Sequence, residues 1–138
     1  MTWLLAGRRI AVWERRRRSP VDAPERSLTS ARIRYADPEL IRKAVQEYAR
    51  DLRSRHEGIR SIRWFGSWVK GTAGVGSDVD LCVIVDRSDK SRRDRMPDFL
   101  PRSFPVGIDL FVYTVAEWAT LRAEHSTLAV AIDGGVEL

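Results

Sequence analysis

Residues 37–58 carry apolar side chains at the three- and four-residue spacing of an α-helix. One face of this predicted helix would pack on a sheet, and it consists of Leu40, Ile41, Ala44, Val45, Tyr48, Ala49 and Leu52. Asp37 is a typical N-cap residue, Pro38 suits the first turn, and Glu39 lies where the helix dipole favours a negative charge. Gly58 interrupts the pattern. The sequence therefore predicts a helix between Asp37 and Gly58.

Three later segments are short, apolar and rich in β-branched or aromatic residues, which is typical of strands. The first is Ile59–Phe65 and the third is Val106–Thr114. The second strand is predicted to begin with Asp78 and Asp80, and the apolar run Leu81–Val85 follows them. Between the second and the third, Arg87–Pro105 is polar and contains three prolines. Its length predicts a crossover or a lid, with a short helix near Arg92–Leu100.

The last part of the chain predicts two more helices. Thr114 and Glu117 have the spacing of a capping box, which would open a helix that ends near Glu124. A second helix is predicted over Ser126–Ile132, and Val136-Glu-Leu138 fits an edge strand or a frayed end. This alternation predicts an α/β (α+β) fold, a small mixed sheet with helices packed against it.

Length and composition narrow the class of protein. The 138 residues suffice for one domain with a substantial core. The single cysteine, Cys82, excludes an internal disulfide and is expected in the core. Since His56 and His125 are the only histidines, we do not expect a zinc site. The chain also has no apolar run long enough for a membrane span, so we expect a cytoplasmic protein that does not bind membranes.

The net charge of +5 is unevenly distributed. Residues 1–36 hold nine arginines and three acidic residues, a net charge of +6, whereas residues 37–138 have a net charge of −1. We therefore predict a basic, poorly ordered extension at 1–36 and a folded domain at 37–138, and no nucleic-acid-binding face on that domain. An arm that contacts RNA or a membrane surface is the alternative for the extension.

Candidate chemistry lies between Trp64 and Asp86. Asp78 and Asp80 are two positions apart, so in a strand they would share a face, about 7 Å apart along the chain. Carboxylates at this spacing suit Mg²⁺, which prefers oxygen ligands and keeps water and phosphate in its shell. Gly66 would let the backbone approach a polyphosphate, and Ser67 would add a hydroxyl donor at the start of a short helix.

These residues resemble the signature of the DNA polymerase β-type nucleotidyltransferase superfamily. The resemblance rests on Gly66-Ser67, ten intervening residues, and then Asp78-Val79-Asp80. The additional Gly71 and the Ser-Asp-x-Asp-Leu form resemble the minimal nucleotidyltransferases, the branch that includes antitoxins. A Walker-type phosphate-binding motif does not occur in the sequence.

The resemblance implies a third carboxylate on an adjacent strand. Asp109 is the candidate because Val106–Thr114 is the only later segment that is apolar, strand-like and interrupted by an acid. Asp86 is the weaker choice, since it would lie about 20 Å from Asp80 if the strand continues. Lys70 and Ser77 are further candidates for nucleotide binding, Lys70 as a charge on the triphosphate and Ser77 by its return beside Ser67.

The resemblance also implies a reaction and a partner. Two Mg²⁺ ions on Asp78, Asp80 and Asp109 would assist the transfer of AMP from ATP to a hydroxyl group, with Gly66 and Ser67 holding the leaving phosphates. The expected acceptor is a helical HEPN-type toxin, for which the protein would be the antitoxin. A catalytically weak, binding-type antitoxin and transfer to a small molecule such as an aminoglycoside are the alternatives. A homo-oligomer is compatible with the sequence.

Overall fold

A long helix and a four-stranded sheet dominate residues 37–138, the part of the chain that this computed structural model describes. The elements are α1 (Pro38–Arg55), β1 (Ile59–Phe65), α2 (Ser67–Lys70), β2 (Val79–Val85), α3 (Arg92–Arg95), a 3₁₀ turn (Met96–Phe99), β3 (Ile108–Thr114), α4 (Val115–Ala123), α5 (Thr127–Asp133) and β4 (Val136–Glu137). The predicted basic extension at 1–36 lies outside the described residues.

The sheet is mixed, and its strand order is β3-β2-β1-β4. Strand β1 pairs with β2 and with β4 in antiparallel orientation, whereas β2 and β3 are parallel. A parallel pair needs a crossover connection, and residues 86–107 provide it. The predicted fold class, a small mixed sheet with helices against it, is confirmed.

Strand β2 is buried on both faces and separates two clusters of apolar side chains. Its odd-numbered residues, Val79 to Val85, face α1, while Cys82 and Ile84 face α4 and α5. The cluster under α1 contains Ile41, Val45, Tyr48, Ala49, Leu52, Ile62, Trp64, Phe99 and Val112. Because apolar neighbours fix β2 from both sides, the residues at its start have a well-defined position.

Most of the predicted elements are present, with small shifts at their ends. Strand β1 has the predicted bounds, and β3 begins at Ile108 rather than at Val106. The predicted apolar face of α1 is too wide, since Leu40 is 49% exposed. Asp37 occupies the N-cap position, although its side chain makes no capping hydrogen bond. None of the helices in residues 37–138 has the length and apolar character needed to cross a membrane.

The capping box at the start of α4 is joined to a partly buried ion pair. The Thr114 hydroxyl accepts a hydrogen bond from the Glu117 amide, and the Glu117 carboxylate accepts one from the Thr114 amide. The same carboxylate accepts hydrogen bonds from both Nη atoms of Arg95, at 2.6 and 3.2 Å. The Arg95 guanidinium also donates to the Val112 and Lys90 carbonyls. Arg95 thus ties the crossover to β3 and α4.

We predict that Glu117→Gln destabilises the protein by about 0.5–1 kcal/mol at pH 7, because glutamine keeps the cap and removes the charge. This range is modest because the Glu117 side chain is 39% exposed and water screens the pair. The hydrogen bond from Arg95 is the main cause that lowers the pKa of Glu117 below 4.5. The charge therefore stabilises the fold above about pH 4.5, and this stabilisation is lost as the pH falls through the lowered pKa.

Urea unfolding of both proteins at pH 7 and near pH 3 measures this difference. It should shrink at the lower pH, and Glu124→Gln, an exposed control at the end of α4, should change little at either pH. If Glu117→Gln lowered the free energy of unfolding equally at both pH values, the proposed role of the Glu117 charge would be contradicted.

Candidate active site

A tight turn joins β1 to the one-turn helix α2. Gly66 follows Phe65 with a φ of 89°, and its carbonyl accepts the amide hydrogen of Lys70 at 3.1 Å. Ser67 is the first residue of α2, and Gly71, with a φ of 81°, ends the helix. Both glycines occupy the left-handed half of backbone space, where a side chain is strained. The structure therefore forms the predicted turn, with the partly buried Ser67 at its centre.

The three candidate carboxylates lie near one another at the start of β2 and β3. Asp80 lies directly opposite Asp109 in the parallel register of the two strands, so their side chains leave the same face of the sheet. Asp78 comes two residues before Asp80, just ahead of the strand. Because neighbouring strands are about 4.8 Å apart, the register holds two of the three acids side by side.

The pKa of Asp80 shows that the three charges interact. Burial raises this pKa most, and the negative charges of Asp109 and then Asp78 raise it further. Each cause disfavours the ionised carboxylate. A cation bound among the three groups would reverse the effect of the two neighbouring charges.

Gly66 lies against the carboxylate of Asp80. A Cβ atom at position 66 would stand 2.8 Å from the Asp80 Cγ and 3.1 Å from its Cβ. The predicted reason for this glycine was the close approach of a polyphosphate. The structure adds a different reason, since any side chain at Gly66 would displace Asp80.

The other candidates for nucleotide binding differ in their surroundings. The Ser77 hydroxyl accepts the amide hydrogen of Gly74 at 2.8 Å, so this oxygen helps to shape the loop before Asp78. Lys70 is exposed at the end of α2. The indole N–H of Trp68 donates to the Ser77 carbonyl at 3.2 Å and ties α2 to the same loop. The contact made by Trp68 could not be read from the sequence.

Comparison with known proteins identifies the family of this domain. The family model described as "Nucleotidyltransferase domain" matches residues 45–127, more than half of the 138 residues. The chain belongs to the nucleotidyltransferase domain family.

Among solved structures, a candidate nucleotidyltransferase from Sulfolobus solfataricus, determined at 1.40 Å resolution, superposes with a TM-score of 0.52 and 16% sequence identity. The match covers 72% of this chain and 80% of that chain. At this identity the likeness concerns the fold alone. No curated protein matched the chain.

The donor set of this nucleotidyltransferase domain suits a hard divalent cation. All three candidates are carboxylates, and hard cations such as Mg²⁺ take oxygen ligands. Within residues 37–138, however, no three His, Cys, Asp or Glu side chains form a ready-made metal cluster. Mg²⁺ usually takes only one or two protein carboxylates and completes its shell with water and phosphate, so a closed cage is not required.

Other candidate residues have structural roles instead. Asp86, at the opposite end of β2, pairs with Arg60 at 2.8 Å. The His56 ring stacks on Phe99, and its Nε2 lies 3.0 Å from the Asp98 carbonyl oxygen. Cys82 lies in the core as predicted, and burial raises its thiol pKa to about 12. The cysteine is therefore protonated and unreactive at neutral pH.

We predict that Asp80→Asn stabilises the protein in the absence of divalent cations, because it removes one of three mutually repelling charges. The expected gain is about 0.5 kcal/mol, a rise in Tm of roughly 2–4 °C for a domain of about 100 residues. Thermal unfolding in EDTA, followed by circular dichroism, measures the change.

Asp86→Asn is the matched control, since it alters an acid that directly follows β2 and is paired with Arg60. It should leave the Tm unchanged or lower it slightly. A lower Tm for Asp80→Asn would show that the repulsion is not the dominant effect at this position.

Proposed function

We propose that this protein is a Mg²⁺-dependent nucleotidyltransferase that transfers AMP from ATP to a hydroxyl group of a partner protein. The observation that carries the proposal is the register of β2 and β3, which sets Asp80 opposite Asp109 with Asp78 close by. This arrangement gathers three carboxylates beside the turn that contains Ser67. The family of the domain supports the same type of reaction.

Each side chain would have a definite task in the reaction. Asp78 and Asp80 would hold Mg²⁺, and Asp109 would hold the cation on the side of the attacking hydroxyl. When bound, Mg²⁺ would withdraw negative charge from the phosphate oxygens and orient the reacting groups. Asp109 would also accept the hydroxyl proton as the oxygen attacks the α-phosphorus and pyrophosphate leaves.

The turn after β1 would hold the leaving phosphates. Ser67 directly follows Gly66 and would donate through its hydroxyl group. The ammonium group of the exposed Lys70 lies one helical turn further along α2. Both groups favour an anion, and together they would offset part of the charge of pyrophosphate. Ser77 would contribute mainly by shaping the loop, since its hydroxyl is engaged with Gly74.

The proposed acceptor is a helical HEPN-type toxin, which the protein would inactivate as its antitoxin. This part of the proposal rests on the resemblance of Ser77-Asp78-Val79-Asp80-Leu81 to the minimal branch of the superfamily. The proposal adds a specific partner to the family assignment. Under this proposal the protein is a cytoplasmic enzyme that modifies another protein.

Label transfer tests the proposal. The protein is incubated with Mg²⁺ and ATP labelled at the α-phosphate, together with the product of the neighbouring gene as the acceptor. We expect label on the acceptor with α-labelled ATP and none with γ-labelled ATP, because the γ-phosphate leaves within pyrophosphate. Asp80→Asn and Asp109→Asn should each reduce transfer by about 100-fold or more.

Asp86→Asn serves again as the control and should retain transfer, since Asp86 lies at the far end of β2. An absence of transfer by the wild type, with toxin neutralisation intact in Asp80→Asn, would refute the enzymatic proposal. That result would favour an antitoxin that acts by binding.

A further inference from the structure

Gly107 is fixed beside the pair of acids at the start of β2. It immediately precedes β3 and stands two residues before Asp109. Its carbonyl accepts the amide hydrogen of Val79, the residue between Asp78 and Asp80, at 2.9 Å. This hydrogen bond begins the β2–β3 pairing, so the backbone of Gly107 cannot withdraw from Asp78 without breaking it.

The Asp78 carboxylate occupies the space where a side chain at position 107 would lie. A Cβ atom on Gly107 would stand 3.1 Å from the Asp78 Cγ and 3.6 Å from Oδ2, and it would collide with Oδ1. The φ of Gly107 lies outside the left-handed region, so an alanine would meet no backbone strain there. A side chain at position 107 would therefore act first on the Asp78 carboxylate.

The effect of a Cβ atom at position 107 depends on which group moves to relieve the collision. The Val79 hydrogen bond holds the backbone of position 107, whereas the Asp78 carboxylate is the exposed end of a short side chain. Rotation of Asp78 is therefore the easier movement. It would move the carboxylate from its present position near Asp80.

We propose that Gly107 is a positioning residue, which holds the Asp78 carboxylate in its metal-binding orientation by leaving room for it. This inference rests on the proposed function, in which Asp78 is a metal ligand. Gly107 differs from Gly66, whose φ of 89° would strain any substituted residue regardless of the acids. A substitution at position 107 therefore tests the effect of an added side chain on the Asp78 carboxylate alone.

The first experiment measures Mn²⁺ affinity in the full-length protein, with Mn²⁺ as a probe that takes the same oxygen ligands. Gly107→Ala should weaken Mn²⁺ binding by about 10–100-fold, the range typical of residues that orient metal ligands. Gly134→Ala is the matched control. A Cβ atom there meets only ordinary contacts, with the nearest atom at 3.6 Å, and its φ is −80°. Circular dichroism verifies that each variant is folded.

The second experiment is a double-mutant cycle of thermal stability in EDTA, which needs neither metal nor activity. In the Asp78→Ala background the collision is absent, and Gly→Ala at a compatible φ is stabilising. The change in Tm caused by Gly107→Ala should therefore be more positive in the Asp78→Ala background than in the wild type, by about 2 °C or more.

The possible results separate this inference from the proposed function. If the wild type binds Mn²⁺ and Gly107→Ala binds it equally well, the positioning role is refuted and the proposed function stands. If the wild type binds no Mn²⁺, both are refuted. Equal effects of Gly107→Ala on Tm in the two backgrounds would show that the alanine does not act through Asp78.

Discussion

The repulsion among three carboxylates at one end of the sheet is the constraint on which the structure of the site depends. The parallel register of β2 and β3 places Asp80 beside Asp109. Burial raises the pKa of Asp80 most, and the negative charges of Asp109 and Asp78 raise it further, so the ionised carboxylate is disfavoured there. Packing on both faces of β2 opposes the repulsion, since the strand cannot shift without exposing buried residues. The stability of the core thus maintains an unfavourable cluster of charges that a cation would relieve.

Strand β1, the antiparallel partner of β2, leads into the turn that contains Gly66 and Ser67, and contacts on its other side also fix its position. Arg63 in β1 donates hydrogen bonds to the carbonyls of Ile132, Asp133 and Gly135 and pairs with Glu137. These contacts join β1 to the end of α5 and to β4. Because β1 is held between β2 and this segment, the turn at its end has little freedom relative to the acids. The site is therefore assembled from three strands that support each other.

Local patterns in the sequence predict the helices and strands. The site depends on how the strands pair, which local patterns do not contain. Strand β1 and the Thr114–Glu117 capping box were predicted because the residue types themselves determine them. Asp109 was identified through the resemblance, and its place opposite Asp80 depends on strand order, which residues distant in sequence decide. The error at Leu40 has the same origin, since periodicity does not show how much of α1 the sheet covers. The contact of Gly107 with Asp78 arises between two loops and leaves no periodic pattern.

The charge of the site has a consequence for the order in which its ligands bind. Three carboxylates repel a triphosphate as they repel each other, whereas the Ser67 hydroxyl and the exposed Lys70 would attract it. Divalent cations between the two sets of negative charges turn this repulsion into attraction. Each ligand must then strengthen the binding of the other, because coupling between two sites is reciprocal. In the proposed reaction the nucleotide and the metal ions would therefore each bind separately and strengthen the binding of the other.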